Sequence, residues 1–513
     1  MLRTILLVAF AAMMSISTDA QVKGLCGTHS GEIDVERVKS LKKKYGKYLN
    51  AQQRTTDIRY VPIRFIVGRQ TGGAQASAVS PENIFDMLCR LNEDYLDMNI
   101  QFYINWGIRY VENNDFYDNP SEVSDFIINP NLDNKALNIL IGKNAGDSSI
   151  SGGVTLGYYD TQRDFIVIKS SEVNYSSETF QHEVGHLFSL LHPHYGWDAD
   201  PWTEAEFGNP VTFFNAPSIA GVKVELADGS NCDEASDLLC DTPADYNLGF
   251  GWNNCNYTGG CLDANNQLLD PDENNMMGYF LECGNDYYFS NEQKALINAD
   301  LDQRFAVGDV VNEFTVNTQT VDGPVEAVFP ANGEQLPYYN NFVFSWEPVD
   351  GADHYVLEYS TNPIFAGDVK TFIKYNTTGH WFGGDDLNPN QTIYWKLTPF
   401  NYYSTCASTS QGNFKTGNAT STKEDELSTS WSIAPNPIQA AAASELLVRL
   451  EGLTGVALFR VLDVNGKVQF SSQMELSQGQ NNTAIDISSL SKGVYFVNLT
   501  IDEKQSIKKL IVQ

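Results

Sequence analysis

The stretch His182–His192, HEVGHLFSLLH, constrains this chain of 513 residues more than any other segment. Two histidines four apart on a helix lie one turn apart on one face, so both imidazoles reach a single ion. Glu183 projects beside them, where it can bond a water without being a ligand. Phe180, Val184, Leu187 and Leu191 supply the buried side of that helix, and Ser176 and Ser177 stand where they can cap its start. His192 cannot stay on the same face of a straight helix, so the chain has to turn near Ser189 to bring it back. Four of the seven histidines fall between positions 182 and 194, which a chance run of polar residues explains poorly. His194 reads as a solvated bystander, or as a replacement for His192 if the turn falls differently.

Three neutral imidazoles leave a fourth tetrahedral position for water, the pattern of a catalytic rather than a closed zinc site. Zinc lowers the pKa of such a water to about 7, and Glu183 is placed to take its proton and pass it to a leaving amine. Peptide hydrolysis is the natural reaction, so Zn2+ and protein or peptide substrates are the expected cofactor and partners.

The formal net charge of −31, from 33 basic and 64 acidic residues, repels phosphate backbones and argues against nucleic-acid binding. Residues 1–20 carry a positive Arg3, an apolar run from Ile5 to Met14 and small residues before Gln21, the pattern of a signal peptide. That run is short of the roughly 20 residues that span a bilayer, and no later segment reaches that length, so no transmembrane anchor is expected. Export permits disulfides. Five of the eight cysteines cluster, at 232, 240, 255, 261 and 283, and are expected to staple a loop-rich region with one left over. Cys89 reads as a buried core thiol.

Residues 21–54 are short and lysine-rich, unlike the acidic remainder, and read as a prosegment cleaved near Arg54. Residues 55–318 open with the strand-like VPIRFIV at 61–67. An amphipathic helix striped with Ile84, Leu88, Leu91 and Tyr95 follows, then the strand-like NILIG and DFIVIKS: an α+β unit with a mixed sheet. Residues 319–416 alternate short aromatic runs with turn residues, the pattern of a β-sandwich. Residues 417–430 are a polar linker, and residues 431–513 alternate again, with turns at Asn465-Gly466 and Lys492-Gly493.

HEVGHLFSLLH resembles the HExxHxxGxxH signature of the metzincins, and NMMGY at 275–279 resembles their Met-turn. With CDTPAD at 240–245, Cys283 and YYFSNEQ, the match over roughly residues 55–310 is similar to the pappalysin family, in its cytophagalysin or ulilysin-like branch. The resemblance implies a metzincin-like catalytic domain, a twisted mixed sheet with an active-site helix, followed by two small all-β sandwiches. It makes Met277 the Met-turn residue and Tyr279 a phenol that steadies the oxyanion. It makes Cys26, in LCGTHS, the thiolate that holds the zinc in a latent form. The same resemblance places a specificity acid at Glu282, favouring a basic residue at P1′, and calcium, Ca2+, at Asp241 and Thr242. Ser189 departs from it by standing where the family has Gly, which implies backbone strain or a shifted turn.

Residues 319–416 resemble fibronectin type III modules, with Trp346 and Tyr355 in the core and either a spacer or a binding role. IAPNPI, DVNGKV, GVYFVNL and the terminal KKLIVQ resemble the C-terminal sorting domain of type IX secretion, which implies that machinery as a partner and passage through the periplasm to the cell surface or medium. The rival to a zymogenic zinc endopeptidase is a surface adhesin with an inactive protease-like domain; a zinc amidase acting on cell-wall or small substrates is a further rival.

Overall fold

The computed structural model describes residues 23–513 except 29, 50–56, 72–76, 106, 147–152, 253, 281–282, 285, 313–316, 366–368, 385, 420–429, 439–444, 465, 477–479 and 502–503. The expected signal peptide, the cleavage point near Arg54, Glu282 and most of the linker lie outside the described residues.

The first unit is α+β. Its sheet contains β1 (Lys23–Cys26), β2 (Arg59–Arg69), β3 (Ile100–Ile104), β4 (Arg109–Glu112), β5 (Leu137–Gly142), β6 (Gly153–Asp160) and β7 (Phe165–Lys169). The order is β1-β6-β7-β5-β2-β3, with β4 also on β2. All pairs are parallel except β6 with β7. Val61, Ile63, Phe65 and Val67 of β2 face the main core, while Ile66 faces a second cluster with Phe116, Leu140 and Phe165. Period-two alternation therefore buries both faces, as a central parallel strand requires.

Helices α1 (Glu32–Leu49), α2 (Pro81–Asp94), α3 (Thr179–Leu187) and α4 (Asn291–Val307) are the principal helices of this unit. The expected stripe on α2 is buried: Ile84, Leu88, Leu91 and Tyr95 are all 0% exposed. Ser80 caps α2, and Ser290 with Gln293 forms a capping box at the start of α4. Of the two serines expected to cap α3, Ser177 Oγ accepts from the Thr179 N–H at 3.3 Å and donates to Glu172, whereas Ser176 is exposed and the N-cap residue, Glu178, carries no side-chain cap. Helix α1 lies on α4, burying Val38 and Leu41 and pairing Arg37 with Asp300 and Tyr48 with Asp302.

Seven strands follow as two facing sheets: β8 (Ala327–Phe329), β9 (Phe342–Trp346) and β12 (Gly379–Phe382) against β10 (His354–Ser360), β11 (Lys370–Tyr375), β13 (Thr392–Phe400) and β14 (Ser410–Lys415). Trp346 and Tyr355 lie in this core, as the alternation predicts. The module is not a free spacer. Phe400 packs on Phe85 of α2 with ring centroids 4.3 Å apart, Thr405 accepts from Asn92, Lys396 pairs with Glu82, and Cys406 is disulfide-bonded to Cys89. Cys89 is thus corrected from a core thiol to a covalent tie between units, a partnership 317 residues apart that local sequence does not reveal.

The C-terminal strands β15 (Trp431–Ala434), β16 (Glu445–Glu451) and β19 (Gln480–Asp486) form one antiparallel sheet. β17 (Gly455–Asp463), β18 (Val468–Leu476), β20 (Gly493–Ile501) and β21 (Lys504–Val512) form the other. Their inward residues, among them Leu446, Val448, Phe459 and Val497, make a separate core. Among the described residues no helix is long and apolar enough to cross a membrane.

Candidate metal centre

Helix α3 presents His182 and His186 one turn apart, and its end is shaped so that His192 returns to them. Phe188 closes the helix, and Ser189 adopts a left-handed φ of 69°. The Ser189 N–H bonds the His186 carbonyl at 2.8 Å and the Leu190 N–H bonds the Gly185 carbonyl at 3.0 Å. These are the paired bonds of a Schellman turn, whose left-handed position usually holds glycine. The turn and strain expected at Ser189 are therefore both present.

The three Nε2 atoms lie 3.0, 3.1 and 3.2 Å apart, and Cys26 Sγ, at the end of β1, is 3.4 Å from His186 Nε2. The four ligand atoms all fall within 4.8 Å of one another. Each outer nitrogen has an oxygen partner: His182 Nδ1 lies 2.8 Å from the Met276 carbonyl, His186 Nδ1 2.8 Å from the Leu190 carbonyl, and His192 Nδ1 2.6 Å from Asp198. Those partners fix the proton on Nδ1, so three lone pairs converge with a sulfur. Such a convergence repels itself without a cation among them. Tetrahedral zinc at about 2.0–2.1 Å from nitrogen and 2.3 Å from sulfur sets N···N and S···N edges of about 3.3–3.6 Å, close to this geometry.

Burial and mutual repulsion keep the rings neutral: His182 is pushed down to about 3, and His186 and His192 are also lowered. Burial, then the Glu183 charge, raises the Cys26 thiol; a cation at the cluster reverses that preference. Glu183 is 0% exposed and burial lifts its carboxyl to about 7, even though Thr28 Oγ1 donates to it at 2.8 Å. Thr28 Oγ1 in turn accepts from the Tyr159 N–H at 2.8 Å.

Met277 is fully buried beneath the helix. A Cβ added to Gly185 would stand 2.5 Å from its sulfur, which is why this helical position is glycine. Tyr279 lies over the cluster, its ring 4.9 Å from that of His192 and its hydroxyl 3.3 Å from the Cys26 carbonyl. His194 is corrected: it is 0% exposed, stacked on His192 at 4.7 Å and 3.7 Å from Asp245, and it does not replace His192 in the cluster. Stacking within a turn this tight leaves it no route to solvent.

A cavity of about 110 Å³ opens beside His182 and Glu183, with Leu156, Met276, Phe280 and Tyr287 as apolar walls and Glu172 and Glu178 among its lining. Asp241 and Thr242 do not share a ligand position. Asp241 spends both oxygens on Ser290 Oγ and the Glu292 N–H at the start of α4, and Thr242 donates to Asp237. The geometry of this pair gives calcium no support. The clustered cysteines pair as Cys232–Cys240 and Cys255–Cys283, leaving Cys261 free and buried, and Cys26 is free as well.

Sequence reasoning missed Asp198, Thr28, Glu172 and Glu178. Thr28 had a signal, since it stands two residues beyond Cys26 and so on the same side of an extended chain. Asp198 had only an acidic residue six positions after the third histidine to mark it.

Residues 432–513 match the secretion system C-terminal sorting domain, which marks the chain for the cell surface through type IX secretion. No curated protein matches the chain. Solved structures match only distantly. The BSP domain of a biofilm associated protein is 14% identical over 37% of this chain and 29% of its own, with a TM-score of 0.16. Dimeric latent PorU from Porphyromonas gingivalis is 12% identical over 40% and 21%, at 0.14. The chicken CNTN1 FN1–FN3 domains are 11% identical over 38% and 68%, at 0.16. Likenesses at this level carry no argument, and the chain spans less than a third of the first two structures.

Proposed function

We propose that this chain is the latent form of a secreted zinc-dependent endopeptidase, similar to the pappalysin branch of the metzincins. The observation that carries this reading is the convergence of His182, His186 and His192 Nε2 with Cys26 Sγ, beside a buried Glu183. His182, His186 and His192 would hold the metal, with Cys26 as a further ligand in the latent state. Zinc, when bound, supplies Lewis-acid polarisation of a water and of the peptide carbonyl. Glu183 takes the proton of the attacking water and returns it to the leaving amine. The Tyr279 phenol donates to the oxyanion that develops as the carbonyl is attacked.

In the latent chain residues 21–54 act as a prosegment that blocks two groups at once. Cys26 takes the metal corner and Thr28 holds Glu183. β1 meanwhile occupies the outer edge of β6, so its removal frees that edge for an extended substrate.

The cavity beside His182 suits a long substrate side chain with a cationic head, since its walls are apolar and Glu178 supplies a carboxylate, while Glu172 already accepts from Ser171, Ser177 and Thr179. That supports a basic residue at P1′; Glu282, the acid the resemblance implies, lies outside the described residues. Mapping the cuts made in a denatured protein by the processed enzyme tests both points. Cleavage before Lys and Arg, abolished by Glu183→Ala and by a zinc chelator, is expected; undiminished cleavage by Glu183→Ala would sink the mechanism. Internal cuts in that protein also exclude a zinc amidase confined to cell-wall or small substrates.

A second reading, a surface adhesin with an inactive peptidase-like unit, draws on the β-sandwich tied to α2 by the Cys89–Cys406 disulfide. Glu183 weighs against it, because retaining zinc needs no base. Binding to host or matrix proteins that survives in Glu183→Ala, with no cleavage by the processed wild type, would favour the adhesin.

A further inference from the structure

We propose that Asp300 is a positioning residue for the metal centre, acting through Ser189; this rests on the zinc reading above. Ser189 occupies the left-handed position of the turn that ends α3, where a Cβ is strained. Its hydroxyl donates to Oδ2 of Asp300, which is 1% exposed on α4. One turn further along α4, Arg304 bonds the other Asp300 oxygen at 2.9 Å and donates to the Leu187 carbonyl at 2.8 Å. Two residues of α4 thus grip the last turn of α3, one at its carbonyl end and one at its strained residue.

Everything downstream of that grip serves the ligands. The Leu190 carbonyl orients His186, and His192 follows two residues later. If the turn at Ser189 relaxed, two of the three rings would lose their register. The Ser189–Asp300 bond offsets the strain that glycine would avoid, which gives a reason for serine at this position. Arg37 of α1 reaches the same carboxylate at 2.8 Å, so the prosegment rests on the strut but does not create it.

Removing Asp300 would also strip Arg304 of a buried partner, so the test uses Ser189 in the full-length chain. Zinc affinity is measured by competition with a chromophoric chelator, alongside the visible spectrum of the Co2+-loaded protein and the melting curve of the apoprotein. Ser189→Ala keeps the strained Cβ and loses the bond, and is expected to weaken zinc binding about tenfold and perturb the Co2+ spectrum, with a native-like apoprotein melt. Ser189→Gly removes the strain with the bond, and is expected to stay within about threefold of wild type. Wild-type affinity in Ser189→Ala, or equal losses in both variants, would overturn the inference alone. A wild-type chain that takes up no zinc would overturn the metal reading and this inference with it.

Discussion

Asp198 Oδ1 lies 2.6 Å from His192 Nδ1, while Asp198 Oδ2 accepts the Gly196 N–H at 2.9 Å. The carboxylate is thus fixed at both ends, by a loop of its own and by the ring it orients. Burial works to raise its pKa, but the His192 bond, helped by the Gly196 N–H, prevails and holds it down at about 2, so the contact persists across the physiological range. His182 and His186 lean on carbonyls, whereas His192 leans on a charge.

Replacing Asp198 should therefore damage the site without touching a ligand. Asp198→Ala frees the His192 ring to rotate, and zinc affinity should fall about 10–100-fold. Asp198→Asn, which can still accept from Nδ1, should lose less. Chelator competition reads both, and equal affinity in wild type and Asp198→Ala would refute the orienting role.

Latency should be separable into its two contacts. Cys26→Ala opens the metal corner and removes the anchor at the end of β1, so the unprocessed chain should gain activity on casein below that of the processed enzyme, while unprocessed wild type shows none. Thr28→Val leaves the sulfur in place and frees only Glu183, so its unprocessed form should stay nearly silent. Cys26→Ala with Thr28→Val should exceed Cys26→Ala alone, because the Thr28 hydroxyl no longer competes for the base. A silent Cys26→Ala chain that still binds zinc would count against the thiol as the lock.

Local periodicity and fixed spacing made much of this legible in the sequence. The three histidines, Glu183, the turn at Ser189, the stripe on α2 and Trp346 in its sandwich core all follow from neighbours within a dozen residues. What escaped depends on packing between distant segments. Cys89 meets Cys406 only because the sandwich docks on α2, and Asp300 meets Ser189 only because α4 crosses the end of α3. His194 failed for a related reason: a polar residue beside a bound turn looks solvated until the chain folds over it.

The tie between Cys89 and Cys406 should make the α+β unit and the sandwich melt together. A crosslink that closes so long a loop contributes about 2–5 kcal/mol when it restricts only the unfolded chain. Cys89→Ser with Cys406→Ser should lower the melting temperature and split the transition in calorimetry, with the sandwich leaving α2 first. A single unshifted transition in the double variant would show that Phe85, Phe400 and the polar contacts suffice.

Glu358 adds a pH dependence to the same interface. It is 3% exposed on β10, and burial first, then the Glu82 charge, lifts its carboxyl from 4.5 to about 7 against the pull of Lys396. Below pH 4.5 the folded and unfolded chains both carry the proton, so the group costs nothing. Between 4.5 and 7 the unfolded chain releases a proton that the folded chain keeps, and stability falls as pH rises; above 7 the penalty is constant, at most about 3 kcal/mol. Glu358→Gln removes the charge and should raise the melting temperature at pH 8 while leaving it nearly unchanged at pH 4. A gain of the same size at both pH values would mean that packing, not desolvated charge, sets the effect.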